Sequence, residues 1–256
     1  MFLEVRDLNK YYNSRNLFSK EKKQILKDVT FDVKEGEIFS IIGQSGAGKS
    51  TIGKILLGIE KESSGDIMLM GRPLKEMVKR EVQMVFQDPY SSLNPAMKIG
   101  KILEEPLKVN GVKDKKEREE RVKSMLKEIG LEETCGVKYP SELSGGQRQR
   151  VVIGAAMILK PKLVVCDEPV ASLDLSIQNQ ILNLIKKFNK EYNTTFIFIS
   201  HDLGVVYNIS HRVLLLYKGE VQEIRETVEF FKNPESEYGK YFLAVSYTHL
   251  RAHETE

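Results

Sequence analysis

Cysteine is nearly absent from this chain: two in 256 residues, Cys135 and Cys166, far apart and without metal-ligand spacing. That scarcity excludes a disulfide-stapled secreted fold and a thiolate metal centre, and it predicts reduced thiols in a cytosolic protein. Net charge is also scarce. Lys and Arg total 39 against 36 acidic residues, a balance of +3 that gives no electrostatic reason to expect nucleic acid as a partner. Long apolar runs are missing. The longest, residues 151–159, is broken by Gly154 and followed by Lys160-Pro161, well short of the roughly 18 residues a membrane span requires. Residues 1–7 include acidic side chains and no apolar stretch of the kind a signal peptide needs, so none is expected. No internal repeat is visible. A protein of this kind works at a membrane only if a partner holds it there.

Hydrophobic residues make up 41% and charged residues 29%, enough apolar surface for one large core or a core with a subdomain. The chain is organised around residues 38–51. An apolar run, Ile38-Phe39-Ser40-Ile41-Ile42, leads into Gly43-Gln44-Ser45-Gly46-Ala47-Gly48-Lys49-Ser50-Thr51, and Ile52, Ile55 and Leu56 follow at helical spacing. Gly43, Gly48, Lys49 and Ser50 fit the P-loop spacing G-x-x-x-x-G-K-[ST]. Glycines at 43, 46 and 48 let backbone N–H groups approach a phosphate chain, and a helix opening at Lys49 adds its positive dipole end. Lys49 is expected to reach the β- and γ-phosphates. Ser50 is expected to ligate Mg²⁺.

In chain order, residues 2–8 and 25–33 alternate as strands, with a polar, mostly basic loop over residues 13–23 containing Arg15 and Lys20. Tyr11 and Tyr12 close the first strand, where edge packing and stacking on a purine ring are both open readings. Residues 67–70 and 80–86 read as further strands, the second ending at Gln87, which could face a nucleotide from a strand terminus. From residue 90 to about 140 the apolar spacing turns helical, and residues 113–127 read as an exposed amphipathic helix inserted in the α/β core. Ser144-Gly145-Gly146-Gln147 opens another helix, with Ser144 as N-cap, and forms a second anion-ready terminus. Two such sites in one chain suit a dimer in which they face each other. Residues 163–166 form a buried apolar run ending in Asp167-Glu168-Pro169. Asp167 is placed to hold Mg²⁺ and Glu168 to take a proton from attacking water. Asp174 precedes an amphipathic helix over residues 177–188. Residues 195–199 are another buried strand, leading to His201 at the same strand edge as Gln87 and Asp167, which favours a role at the γ-phosphate. Residues 213–217 and 220–224 flank Lys218-Gly219 as a hairpin.

With these pieces in order, residues 1–243 resemble the ATP-binding subunits of ABC transporters. The fold this implies is α/β: a P-loop NTPase, RecA-like core with an antiparallel β subdomain and an inserted helical subdomain. Residues 1–87 and 151–231 form the core, 88–150 the helical subdomain, and 232–244 the start of a truncated C-terminal extension. The resemblance makes Gly43–Ser50 the Walker A motif, Gln87 the Q-loop, Leu143–Gln147 the signature, Leu163–Asp167 Walker B, Glu168 the base, Asp174 the D-loop Asp and His201 the switch histidine. The stretch from Gln83 to Pro95, together with Cys166-Asp167-Glu168-Pro169-Val170, is similar to the oligopeptide, dipeptide and nickel importers, in particular their second, "F"-type ATPase. His211 departs from the Asp common there, and Ala171-Ser172 from the usual Ser-Ala.

The resemblance implies ATP and Mg²⁺ as ligands. Lys49, Gln87, Glu168 and His201 would be catalytic, and Ser50, Gln87 and Asp167 would serve the metal. Tyr12, Gly43, Ser45, Gly46, Gly48, Lys49, Ser50, Thr51, Ser144, Gly145, Gly146, Gln147 and Asp174 would bind nucleotide, with Tyr12 stacking on adenine. It further implies a head-to-tail dimer with a second ATPase subunit, either a different chain or a copy. Two transmembrane permease subunits and, indirectly, an extracytoplasmic solute-binding protein complete the assembly, which would sit peripherally on the inner face of the cell membrane. Residues 245–255 resemble no continuation of the family and look like a translated sequencing adapter; a divergent tail is the alternative. On the adapter reading His249 and His253 form no metal site despite their spacing. An ATPase subunit of a carbon–phosphorus lyase complex is the competing function, and a soluble ABC ATPase of DNA repair or translation a third.

Overall fold

A computed structural model describes residues 1–13, 22–171 and 173–253. Along the chain run β1 (Leu3–Asn13), β2 (Lys22–Val33), β3 (Ile38–Ile42), α1 (Lys49–Leu56), β4 (Ser64–Leu69) and β5 (Arg72–Pro73). Next come α2 (Val78–Glu81), β6 (Val82–Val85), α3 (Pro89–Ser92), α4 (Ile99–Val109), α5 (Lys115–Glu128), α6 (Gly145–Met157), β7 (Leu163–Asp167) and α7 (Leu175–Tyr192). The chain continues with β8 (Thr195–Ile199), α8 (Leu203–Ile209), β9 (Arg212–Tyr217), β10 (Glu220–Glu226), α9 (Thr227–Lys232) and α10 (Glu237–His253). It divides into two compact units, residues 1–77 with 195–256, and residues 78–194.

The first unit holds an antiparallel sheet in the order β2-β1-β4-β5 and a run of strands β10-β9-β3-β8. β3 and β8 are buried along their whole length, which is why both read as unbroken apolar runs rather than alternating ones. β3 pairs in parallel with β8 and β9, and Ile41 lies opposite both Ile199 and Leu214. Ile42, the last residue of β3, packs with Leu203, Val206, Val213, Leu215, Phe230, Phe242 and Leu243. Residues 242 and 243, assigned by sequence to the start of an extension, are thus part of this unit's core.

In the second unit β6 and β7 pair in parallel. The helical part is tied together by Glu104 on α4, which is 4% exposed. Its carboxylate meets Lys101 at 2.8 Å, Lys108 at 3.4 Å and Arg118 of α5 at 2.8 Å. Burial opposes the charge on Glu104, but the hydrogen bonds from Lys101 and Arg118 prevail and pull its pKa down to about 2.

Strand boundaries differ from expectation in several places; β2 and β4 each begin three residues early, at Lys22 and Ser64. β1 extends to Asn13 rather than ending at Leu8, because register shifts after Val5, Leu8 and Lys10 break the two-residue alternation that marks a strand. Residues 78–81 form a helical turn, so the strand expected from Arg80 starts at Val82. Of the basic loop expected over residues 13–23, Asn13 ends β1 and Lys22 and Lys23 open β2, paired across the strands; the rest, Arg15 and Lys20 included, lies outside the described residues, as do Ser172 and the side chains of His249 and His253. No helix among the described residues is long and apolar enough to cross a membrane.

Candidate functional site

In the first unit the chain leaves β3 and turns at Gly43, whose φ is +145°. A Cβ there would lie 2.1 Å from the carbonyl oxygen of Leu216. Gly48, at φ +109°, would place a Cβ 2.6 Å from the Leu26 side chain. Both positions therefore require glycine, and the backbone rather than side chains lines the loop. α1 opens on Gly48 with no side chain capping it, so its first N–H groups have no side-chain acceptor at the N-cap. Lys49 is 7% exposed, and its Nζ donates to the carbonyls of Gly43 at 2.8 Å and Gln44 at 2.9 Å. The ammonium is held against the loop's own carbonyls, while Ser45, Gly46 and Ser50 are exposed and Thr51 is half-buried. A glycine loop, an uncapped helix N-terminus and a fixed cation meet within one short stretch of chain. That is an arrangement for a phosphate chain.

His201 follows β8, the parallel neighbour of β3, and so leaves the same strand edge as the loop. It is exposed; Asp202 beside it caps α8 by accepting the Val205 N–H at 3.1 Å. Tyr12 lies on β1, in the other sheet of this unit. Lys10 Nζ sits 4.8 Å from the centre of the Tyr12 ring and donates to Glu60 at 2.9 Å and to the Lys61 carbonyl at 2.6 Å. Its hydrogen bond holds the Glu60 carboxyl below the usual range. Sequence reasoning missed Lys10, because the register shift between Lys10 and Tyr11 breaks the alternation that would relate it to Tyr12.

In the second unit Val85 of β6 lies opposite Cys166 of β7, so Gln87, Asp167 and Glu168 emerge from one end of a parallel pair. Both cysteines are free and buried. Burial, and then the neighbouring Asp167 charge, push the Cys166 thiol up, which makes it an inert core residue. Glu168 has a backbone φ of +49°. Ser144 and Gln147 cap α6 reciprocally: the Gln147 N–H donates to Ser144 Oγ at 3.3 Å, and the Ser144 N–H to Gln147 Oε1 at 3.0 Å. Arg148 braces the approach to this turn by donating to the carbonyls of Pro140 at 2.7 Å and Leu143 at 2.6 Å. Its role was not visible in the sequence, where it is one basic residue among several. Asp174 caps α7 by accepting the Ile177 N–H at 2.9 Å. Ile177 in turn packs so tightly on Gly146 that a Cβ there would lie 2.7 Å from its Cγ2. The signature turn and the Asp174 turn are thus in direct contact. His211 accepts the Ile38 N–H at 2.9 Å in the first unit, a structural role for a position that stood out in the sequence.

The family model described as ABC transporter matches residues 26–171. The chain is 40% identical to the oligopeptide transport ATP-binding protein AppF of Bacillus subtilis (strain 168), over 94% of this chain and 77% of that protein. It is 39% identical to the di/tripeptide transport ATP-binding protein DppF of Pseudomonas aeruginosa, over 95% and 78% respectively. Among solved structures it superposes on the ATP-binding cassette MJ0796, a dimer in a post-hydrolysis state bound to ADP and Pi. The TM-score is 0.77 at 30% identity, covering 88% of this chain and 99% of that one. CbiO1 of Clostridium perfringens, part of the ABC transporter complex cbiONQ, gives a TM-score of 0.79 at 30% identity, covering 91% of each. The α/β P-loop NTPase fold expected from sequence is the fold found.

Proposed function

Because the chain belongs to the ABC transporter family, we propose that it is the ATP-hydrolysing subunit that powers an importer of di- or oligopeptides, or of nickel. The observation that carries this reading is 40% identity to an oligopeptide transport ATP-binding protein across 94% of the chain. The alternative of a carbon–phosphorus lyase subunit is not favoured, since the relatives above are transport proteins by name.

In this reading ATP lies along the loop from Gly43 to Thr51, with Lys49 on its β- and γ-phosphates and Tyr12 on the purine. The loop suits the ligand: Gly43 and Gly48 seat it where a Cβ would strike Leu216 and Leu26, and its cation is already fixed. Ser50, Gln87 and Asp167 would hold Mg²⁺. A hydroxyl, an amide oxygen and a carboxylate make a hard oxygen donor set of the kind that ion takes. When bound, Mg²⁺ would supply positive charge to offset that of the phosphates. Glu168 accepts the proton of the attacking water, Gln87 orients that water, and His201 donates to the γ-phosphate as its charge grows. The work is positioning and charge stabilisation. Ser144, Gly145, Gly146, Gln147 and Asp174 face the nucleotide of a second ATPase subunit, and closure of the pair pulls on two permease subunits at the inner face of the membrane.

The test is Glu168→Gln assayed for MgATP affinity and turnover. Affinity is expected to stay near wild type while turnover falls at least about a hundredfold, the lower end of the range for losing a general base. Near-normal turnover overturns the assignment. Lys49→Ala is expected to weaken MgATP binding itself at least tenfold, and unchanged affinity counts against the loop.

A further inference from the structure

Glu168 is in an unfavourable place. Its φ of +49° lies in the left-handed region that costs a residue with a Cβ, and it precedes Pro169, whose ring restricts the backbone before it. Something must hold that conformation. The turn after it contributes one hydrogen bond, from the Ala171 N–H to the Glu168 carbonyl at 3.2 Å. A second comes from α6: Gln149, 1% exposed, donates its Nε2 to the Pro169 carbonyl at 2.7 Å. A carbonyl can only accept, so the amide nitrogen must face Pro169. This leaves Gln149 Oε1 buried with no hydrogen-bond partner among the described residues. A side chain chosen only for packing would not bury an unsatisfied oxygen at this position.

We propose that Gln149 is a positioning residue, which fixes the peptide after Glu168 and so aims the Glu168 carboxylate. Gln149 lies two residues beyond Gln147 on the helix that Ser144 caps. A shift of α6 along its axis therefore moves the Pro169 carbonyl and tilts Glu168. The same helix presses Gly146 on Ile177, so both ends of the segment between Pro169 and Asp174 are tied to it. The signature turn and the base of one subunit move as one body. Binding of a nucleotide by that turn thereby sets the activity of the subunit's own Glu168. The inference rests on the reading of Glu168 as the base.

The experiment is steady-state ATPase of the purified full chain carrying Gln149→Met, which keeps the side-chain length and removes both polar atoms. The kcat is expected to fall about tenfold or more, with the ATP KM and thermal midpoint near wild type, because a displaced base loses geometry and not binding. Wild-type kcat in the folded variant overturns the proposal. Placed in a Glu168→Gln background, Gln149→Met is expected to leave the residual rate unchanged. A further tenfold fall there shows that Gln149 acts by another route and overturns the proposal. Full turnover in Glu168→Gln alone sinks the base assignment instead, which separates the two failures. If Gln149→Met does not fold, Gln149→Glu carries the test, since a protonated carboxyl can donate as the amide does. Its kcat relative to wild type is expected to rise as pH falls, and a flat ratio overturns the idea.

Discussion

The loop before α1 and the turn before α6 look alike in sequence, each a glycine-rich stretch opening a helix, yet they are built on opposite principles. At α1 the backbone does the shaping: Gly43 and Gly48 press against Leu216 and Leu26, and no side chain caps the helix. At α6 side chains do it: Ser144 and Gln147 cap each other, and Arg148 braces the turn from behind. The first terminus is left open for an anion. The second is already satisfied internally, so a ligand there must share or displace the Ser144–Gln147 bonds. On the proposed function, these would be a pair of sites in which only the second has to sense closure.

The sharpest way to break this contrast is alanine at matching glycines. Gly43→Ala is expected to destabilise the chain by about 4 kcal/mol, combining left-handed strain with overpacking against backbone. Gly145→Ala meets nothing within 4 Å and is expected to change stability by less than about 0.5 kcal/mol. Chemical unfolding of both variants measures the difference, and equal effects dissolve the contrast.

A second test asks whether the unit carrying α6 depends on side-chain charge. The Glu104 pKa is lowered from 4.5 to about 2, so its stabilisation is fully present above pH 4.5 and is lost as pH falls through about 2. At neutral pH this amounts to about 3 kcal/mol. Glu104→Gln is expected to remove that much and to flatten acid unfolding between pH 4.5 and 2. Hydrogen exchange is expected to rise in α4 and α5 and not around β3; a uniform rise refutes the localisation. A smaller loss than at Glu104 belongs to Ser144→Ala, about 1 kcal/mol through loss of a cap, read as fraying of the first turn of α6. No change in exchange there means the reciprocal cap contributes nothing.

Much of this architecture was legible in the sequence because buried parallel strands declare themselves. Residues 163–166 and 195–199 are apolar without alternation, and the chemistry-bearing residues sit directly after them. The N-cap at Ser144 and the loop from Gly43 to Ser50 are equally local signals. What stayed hidden was either irregular or long-range. Bulges in β1 erased its periodicity beyond Leu8. The Lys10–Glu60 pair and the Gln149–Pro169 bond join residues whose proximity only the fold creates. Phe242 and Leu243 gave no sign that they complete the core under β3.

That last feature bears on how the protein is made. β3 and its loop leave the ribosome early, but the N–H of Ile38 waits for the ring of His211, 173 positions later. Its parallel neighbours β8 and β9 are synthesised at about the same time as that histidine. Until Phe242 and Leu243 have also emerged, the apolar cluster around Ile42 at the end of β3 is incomplete. Such distant pairings close slowly and leave sticky surface uncovered meanwhile. The nascent chain therefore carries its future ATP loop as an unfinished, aggregation-prone segment for most of its translation, a long window for chaperones.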